Sequence, residues 1–189
     1  IGYIAADLQF GSFFHAGRRE EGMVNAGIVF FTGLADVGRW KIRQFIKPQL
    51  TVGLDRLPTE QIEFHRTNGM GGFSSVLFGD KRFVLTLQTQ SYAPWNVLGF
   101  RFGPYLVYSL GMLADRGSDF GNSRVYHQIS LGILLRNDFL VFNNIQFSVS
   151  FFPEIPGIGD NVVKMNARTT TDFVLQDFSM TKPGIVPFE

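Results

Sequence analysis

The chain contains no cysteine among its 189 residues, and no stretch approaches about 18 consecutive apolar residues. The first absence excludes a disulfide framework and a thiolate metal site. The second excludes a conventional transmembrane helix. A strong charge of either sign is also missing, because 17 basic residues nearly balance 16 acidic ones. The sequence therefore gives no electrostatic reason to expect a nucleic-acid partner.

Catalytic motifs are equally scarce. The three histidines, His15, His65 and His127, lie far apart and lack metal-ligand spacing. No G-x-S-x-G nucleophile elbow occurs. His127 with Ser130 or Asp172 could in principle support hydrolysis, but ordinary strand residues are the simpler interpretation. We therefore expect no enzymatic activity, no metal and no cofactor.

What the chain has in abundance is Phe and Gly, 21 of each, and apolar residues that alternate with polar or small ones from end to end. Phe favours pleated, half-buried strands, whereas Gly is normally depleted from them. Both are expected where one face of a sheet meets lipid and the other lines a crowded interior. The alternation predicts eight strands: 3–14, 23–33, 39–53, 81–93, 97–113, 124–136, 139–152 and 162–178.

The strand predicted over 97–113 shows the alternation most clearly. One face carries Leu98, Phe100, Phe102, Leu106, Leu110 and Met112. The other carries Gly99, Arg101, Gly103, Ser109 and Gly111. The predicted strands are about 11 to 17 residues long, whereas globular strands usually have about 5–6 and a tilted membrane-spanning strand needs about 9–11. Aromatic residues near the strand ends suit an interfacial girdle: Tyr3, Trp40, Tyr92, Trp95 and Tyr126.

The connections between these strands alternate in length. Short turns at 33–38, 93–96 and 136–138 are separated by longer segments. Those segments are 16–22, 54–80, 114–123 and 153–161. Up-and-down outer-membrane barrels have short periplasmic turns and longer external loops. The alternative is a soluble sandwich or a lipocalin-like barrel, in which the apolar face points inward. Strand length and Phe content favour an all-β, antiparallel transmembrane barrel.

Five segments resemble the C-terminal barrel of the Omp85 superfamily, which includes BamA-like assembly factors and surface antigens. The segments are NGMGGFSS (68–75), GDKRFVLTLQTQ (79–90), PWNVLGFRFGPYLVYSLGML (94–113), RNDFLVFNNIQFSVSFFP (136–153) and TKPGIVPFE (181–189). Surface antigens of Bacteroidetes-type bacteria are the most similar in character. The first sixty residues resemble the family only by their alternation.

The resemblance implies a sixteen-stranded barrel in the outer membrane of a Gram-negative bacterium. Residues 1–189 would form a single domain, the second half of that barrel; an autonomous eight-stranded barrel is the alternative. The implied function is assembly, insertion or translocation of outer-membrane or surface proteins. The implied partners are lipid, lipopolysaccharide, client barrels and accessory lipoproteins. A passive porin or a structural anchor is the alternative function.

In the family, the long loop folds into the barrel, and an arginine at its tip meets carboxylates on nearby strands. Here the tip is Met70-Gly71-Gly72-Phe73, with Gly71 at the arginine position. The expected carboxylates are replaced by Gln88 and Ser109. We therefore expect the fold to be retained and the charged lock to be lost, because removing every partner leaves no buried charge unpaired. Four further lumenal candidates either line a pore or pair with Asp7 and Asp172: Arg43, Lys47, Arg101 and Arg168.

The last predicted strand would form one side of the barrel seam. A weak seam could offer a strand edge to a client by β-augmentation. The residues expected along this strand are Val163, Met165, Ala167, Phe173 and Leu175.

Overall fold

A computed structural model describes residues 2–15, 18–55, 61–64, 69–75, 77–115, 117–137 and 144–167. The described strands are β1 (Tyr3–His15), β2 (Arg18–Phe31), β3 (Ala35–Val37), β4 (Trp40–Leu54), β5 (Ile62–Glu63), β6 (Phe78–Gly79), β7 (Lys81–Tyr92), β8 (Asn96–Val97), β9 (Phe100–Ala114), β10 (Val125–Asn137), β11 (Asn144–Ile155) and β12 (Gly159–Met165). One 3-10 turn, Phe120–Asn122, lies between β9 and β10. In the described parts of the chain, no helix is long and apolar enough to span a membrane.

Eight long strands form one antiparallel meander in the order β1-β2-β4-β7-β9-β10-β11-β12. Strands β3 and β8 pair with the starts of β4 and β9, and β5 pairs with β6 in a separate two-stranded sheet. The all-β antiparallel class predicted from the alternation is therefore confirmed. Within the described residues the ladders end at β1 and at β12, and no ladder joins these two strands.

Each of the eight predicted segments contains described strand, with ends that differ by several residues, and the eighth, 162–178, is strand over 162–165. The largest internal change lies in 97–113, which divides into β8 and β9. Leu98 and Gly99 form the turn between them, with positive φ angles of 51° and 83°. This turn replaces the short connection predicted at 93–96. The final strand is described only to Met165, and the remainder of the prediction, 168–178, lies outside the described residues.

The two faces of the sheet differ in chemistry: one is mostly apolar and exposed, and the other is buried and mixes polar side chains with apolar ones such as Val84, Tyr105 and Val107. The polar face is buried and carries Thr51, Arg82, Thr86, Gln88, Gln90, Ser109, Gln128, Ser130, Ser148 and Ser150. The apolar face is exposed and carries Ile4, Leu8, Phe10, Ile28, Leu106, Ile129, Leu131, Phe147, Val149, Val163 and Met165. Neighbours on one strand show the contrast, because Ser130 is 0% exposed and Leu131 is 62% exposed.

The strand register keeps like side chains side by side over several strands. Ser109 lies opposite Thr86 on β7 and opposite Gln128 on β10. Leu131, on the other face, lies opposite Leu106 on β9 and Val149 on β11. Because side chains alternate with a period of two, a slip of one residue would exchange the two faces completely.

Candidate functional site

The polar face is covered by residues of the long segment between β4 and β7. We call the described residues 61–64, 69–75 and 77–79 the inner loop. Its strands β5 and β6 pair through Ile62 with Gly79 and Glu63 with Phe78. Its apolar side chains join strand residues in a cluster buried to 0% exposure: Phe64, Met70, Phe73, Phe152 and Ile155. The inner loop therefore adds Phe64, Met70 and Phe73 to an apolar cluster that β11 completes with Phe152 and Ile155.

Aromatic rings hold the inner loop against β10 and β11. The Phe73 ring centroid lies 4.8 Å from Phe64, 5.2 Å from Tyr126 and 6.1 Å from Phe152, all in tilted or edge-on arrangements. Such pairs contribute about 0.5–1.5 kcal/mol each beyond area burial. Tyr126 was expected in the interfacial girdle, but it packs on the inner loop instead, because even-numbered residues of β10 share the face of Gln128. Trp40 and Trp95 were also expected in the girdle. Their rings pack edge-on with centroids 5.0 Å apart, at the end of the sheet where the short turns lie.

Gly111 on β9 provides the space into which the inner loop packs. A Cβ atom at this position would lie 2.5 Å from Cζ of Phe64 and 3.0 Å from Cε of Met70. Real Cβ atoms essentially never approach so closely. The close approach of the loop therefore requires glycine here.

Gly111→Leu should displace the inner loop while leaving the eight-stranded meander intact. Overpacking of this kind typically costs about 1–3 kcal/mol, and the loop contacts can yield more readily than a continuous ladder. Limited proteolysis within 69–75 measures the displacement. Gly121→Leu is the matched control, because nothing lies within 4 Å of a Cβ there. Equal protection of the loop in both variants would contradict the packing described.

Hydrogen bonds from three strands fix the loop backbone. Nε2 of Gln128 donates to the Gly71 carbonyl at 3.0 Å, and Nζ of Lys164 donates to the Gly72 carbonyl at 3.0 Å. Lys164 also contacts the Ser74 hydroxyl. Nη1 of Arg82, which is 2% exposed, donates to the Glu63 carbonyl at 2.5 Å. Every one of these donors comes from a strand and meets a backbone or hydroxyl oxygen of the inner loop.

The tip turn needs glycine at its second central position. Gly72 has a φ of +77°, a left-handed conformation that side chains disfavour. A Cβ at Gly72 would also collide with Ala167. The tip residues Met70 and Phe73 on either side are fully buried. The MGGF tip therefore combines two apolar anchors with a backbone turn whose carbonyls face strand donors.

The predicted replacements for the family's carboxylates, Gln88 and Ser109, both lie buried on the polar face. The Ser109 hydroxyl is 3.4 Å from that of Thr86, and Nε2 of Gln88 donates to Oε1 of Gln90 at 3.4 Å. The Gly71 carbonyl instead accepts its bond from Gln128, one strand beyond Ser109. The sequence analysis did not identify Gln128, Lys164 or Arg82. Their position on the alternating polar face was the only available signal.

The predicted lumenal cations do not form one cluster at the tip. The Arg43 guanidinium carbon lies 4.9 Å from the centroid of the Phe31 ring, a cation–π contact near the short-turn end of β4. Arg101 is exposed one residue into β9, at the same end of the sheet. Arg168 lies outside the described residues.

The predicted seam strand departs from simple alternation at its described end. Val163 and Met165 are 61% and 78% exposed on the apolar face. Ala167, expected on that face, instead packs against the buried cluster. Asn166 explains the change, because its φ is +51° and both its amide and its side chain bond the backbone of Ser148. Phe173 and Leu175 lie outside the described residues.

His127 does not pair with Ser130, one of the two partners considered for it. Nδ1 of His127 lies 2.9 Å from the Tyr108 hydroxyl on the apolar face. Ser130 lies on the opposite face, where its hydroxyl is 2.7 Å from that of Ser150. Asp172 is outside the described residues. Across the described ranges, no group of three His, Asp or Glu residues is placed to hold a metal ion.

Comparison with known proteins gives no relative: no family model, curated protein or solved structure matches the chain. What the protein does must therefore be inferred from the two faces of its sheet and from the inner loop.

Proposed function

We propose that the chain forms part of the wall of an Omp85-like β-barrel in the bacterial outer membrane, which assists assembly, insertion or translocation of other outer-membrane or surface proteins. The observation that carries the membrane part is the inversion of the two faces. Leu131, Phe147 and Met165 are 62%, 52% and 78% exposed, whereas Ser130, Ser148 and Ser150 are buried. The protein acts in this proposal without enzymatic chemistry.

Water is a poor solvent for the apolar face. Exposed apolar patches of more than a few hundred Å² are rare in soluble monomers and mark protein or membrane contacts. Lipid chains remove this cost, because they are as apolar as Leu and Phe. The buried hydroxyls and amides of the polar face would line the interior of the barrel, as they do in membrane barrels generally.

Closure of the barrel requires further strands or a rearrangement of the edges. An open sheet edge in the hydrocarbon layer would leave backbone groups unsatisfied at several kcal/mol each. In the described structure β1 pairs on one side with β2, and β12 pairs on one side with β11. Eight further strands between these edges would give the sixteen-stranded barrel implied by the family resemblance. Direct pairing of β1 with β12 would give the smaller alternative.

The inner loop favours the Omp85-like proposal over a passive porin. The motif MGGF resembles the tip of the family's inward-folding loop, and in this chain its Met70 and Phe73 are buried against the strands. The seam strand β12 supports the assembly role, because it presents an edge and an apolar outward face to a client strand. The alternative is a porin or an anchor, for which a polar interior is equally suitable.

Assembly assays with the full-length protein in lipid vesicles distinguish these functions. An unfolded outer-membrane client is added, and its insertion is followed by heat-modifiable gel mobility and by protease protection. The assembly proposal predicts faster client insertion than in protein-free vesicles. Ion conductance without faster insertion would contradict that proposal and favour the passive barrel.

A further inference from the structure

We propose that Lys164 couples the inner loop to the edge strand β12, so that release of the loop and loosening of that strand form a single transition. The inference starts from where Lys164 lies. It belongs to β12, the last strand of the described meander. Its ammonium group bonds the Gly72 carbonyl and the Ser74 hydroxyl at the loop tip.

The side chain of Lys164 points toward the inner loop, along the buried face of β11. Lys164 lies opposite Ser150 on β11, and its ammonium nitrogen is 5.8 Å from the centroid of the Phe152 ring. Phe152 is itself part of the buried cluster with Phe73. One charged side chain therefore bridges the tip, the cluster and the edge strand.

This bridge inverts the polarity of the lock that the family resemblance leads one to expect. There, a cation on the loop meets carboxylates on strands. Here, the cation is on a strand and the acceptors are a backbone carbonyl and a hydroxyl of the loop. Gly71 and Gly72 have no side chain that could supply a charged partner on the loop. The charged group of this bridge, which we call the Lys164 tether, therefore belongs to β12, the strand proposed to meet the client.

The edge strand has one strand neighbour among the described residues. In that part of the chain, the seven residues of β12 form a ladder only with β11. Val162 and Ala167 pack against the cluster that contains the loop residues Phe64, Met70 and Phe73. A loop that leaves the polar face takes away the acceptors of Lys164 and these apolar contacts together. By linkage, a client strand that loosens β12 would favour loop release to the same degree.

Hydrogen exchange on the full-length protein in lipid tests the coupling through a double-mutant cycle. Gly111→Leu perturbs the loop through Phe64 and Met70, whereas Lys164 bonds Gly72 and Ser74. In the native background it should speed exchange at the amides of 162–165 as well as those of 69–75. In a Lys164→Met background it should still speed exchange at 69–75, but the increase at 162–165 should be clearly smaller, because only the apolar contacts of Val162 with the cluster then connect the loop to β12. Lys164→Met alone should raise loop opening roughly tenfold or more, as expected for a bond from a charged donor.

Matched variants separate the tether from general destabilisation. Lys164→Arg keeps a cationic donor and should retain the coupling; Lys164→Gln removes the charge and replaces Lys164→Met if that variant does not fold. Lys41→Met removes a lysine paired with Asp36 at 3.1 Å at the other end of the sheet, and the Gly111→Leu effect on β12 should persist in it. Unchanged β12 exchange in Gly111→Leu, or an equal increase with and without Lys164, would overturn the proposal. Neither readout depends on client assembly, so the coupling and the proposed function can fail separately.

Discussion

Leu131→Arg is expected to destabilise the protein in lipid by about 2–4 kcal/mol, the cost of a cation near the middle of the lipid face of a membrane barrel. Leu131 is 62% exposed on the apolar face, between Leu106 and Val149. At such an exposed position in a soluble protein, the same substitution would usually change stability by less than about 0.5 kcal/mol. Equilibrium unfolding in urea from lipid vesicles measures the difference.

Gln9→Arg is the control for this substitution. Gln9 is also exposed, but its register partner is Asn25 and it lies on the polar side of β1. A new cation there should have little effect, because lumen-facing changes are tolerated better than lipid-facing ones. Equal free energies of unfolding for Leu131→Arg and Gln9→Arg would show that the two faces meet the same solvent.

Phe73→Ala should remove the main apolar anchor of the inner loop, with a loss of about 3–5 kcal/mol, as is typical for a fully buried Phe. Its ring is 0% exposed and contacts Phe64, Tyr126 and Phe152. The loss should appear chiefly as undocking of the loop, because the meander is held by its own ladders. Protease cleavage within 69–75 and the free energy of unfolding should both be measured.

Phe78→Ala provides the comparison within the same segment. Phe78 is 46% exposed in β6, so its truncation should cost much less. Similar protease sensitivity in Phe73→Ala and Phe78→Ala would mean that the cluster around Phe73 does not hold the loop.

Strand positions were predictable because alternation is a local property. In β9, Leu106, Leu110 and Met112 alternate with Ser109 and Gly111. This period of two fits a strand and does not fit a helix, whose period is about 3.6 residues. The turn at Leu98 and Gly99 was not predicted, because their period-two pattern runs on unbroken into β9 while the backbone reverses. Alternation identifies two faces; it does not state which of them is covered.

The hydrogen-bond partners of the loop tip could not be predicted from the sequence, because they lie on strands far away along the chain. Gln128 is 57 residues from Gly71 along the chain, and Lys164 is 92 residues from Gly72. The tip motif and its inward fold could be predicted from the resemblance. The resemblance places the partners of the tip on β7 and β9, where the family's carboxylates would lie. The observed donors lie on β10 and β12, because the neutral tip offers carbonyls to donors instead of a cation to acceptors.

The central claim is that the apolar face meets lipid, and adjacent single-cysteine variants test it most directly. The chain has no native cysteine, so Leu8→Cys and Gln9→Cys each give one label site. Both side chains are exposed, and they lie on opposite faces of β1. An environment-sensitive fluorophore at each site is quenched by lipids brominated along their chains only where it contacts the hydrocarbon layer. The membrane-wall account predicts strong quenching at position 8 and little at position 9; equal quenching at both, or none at position 8, would contradict it.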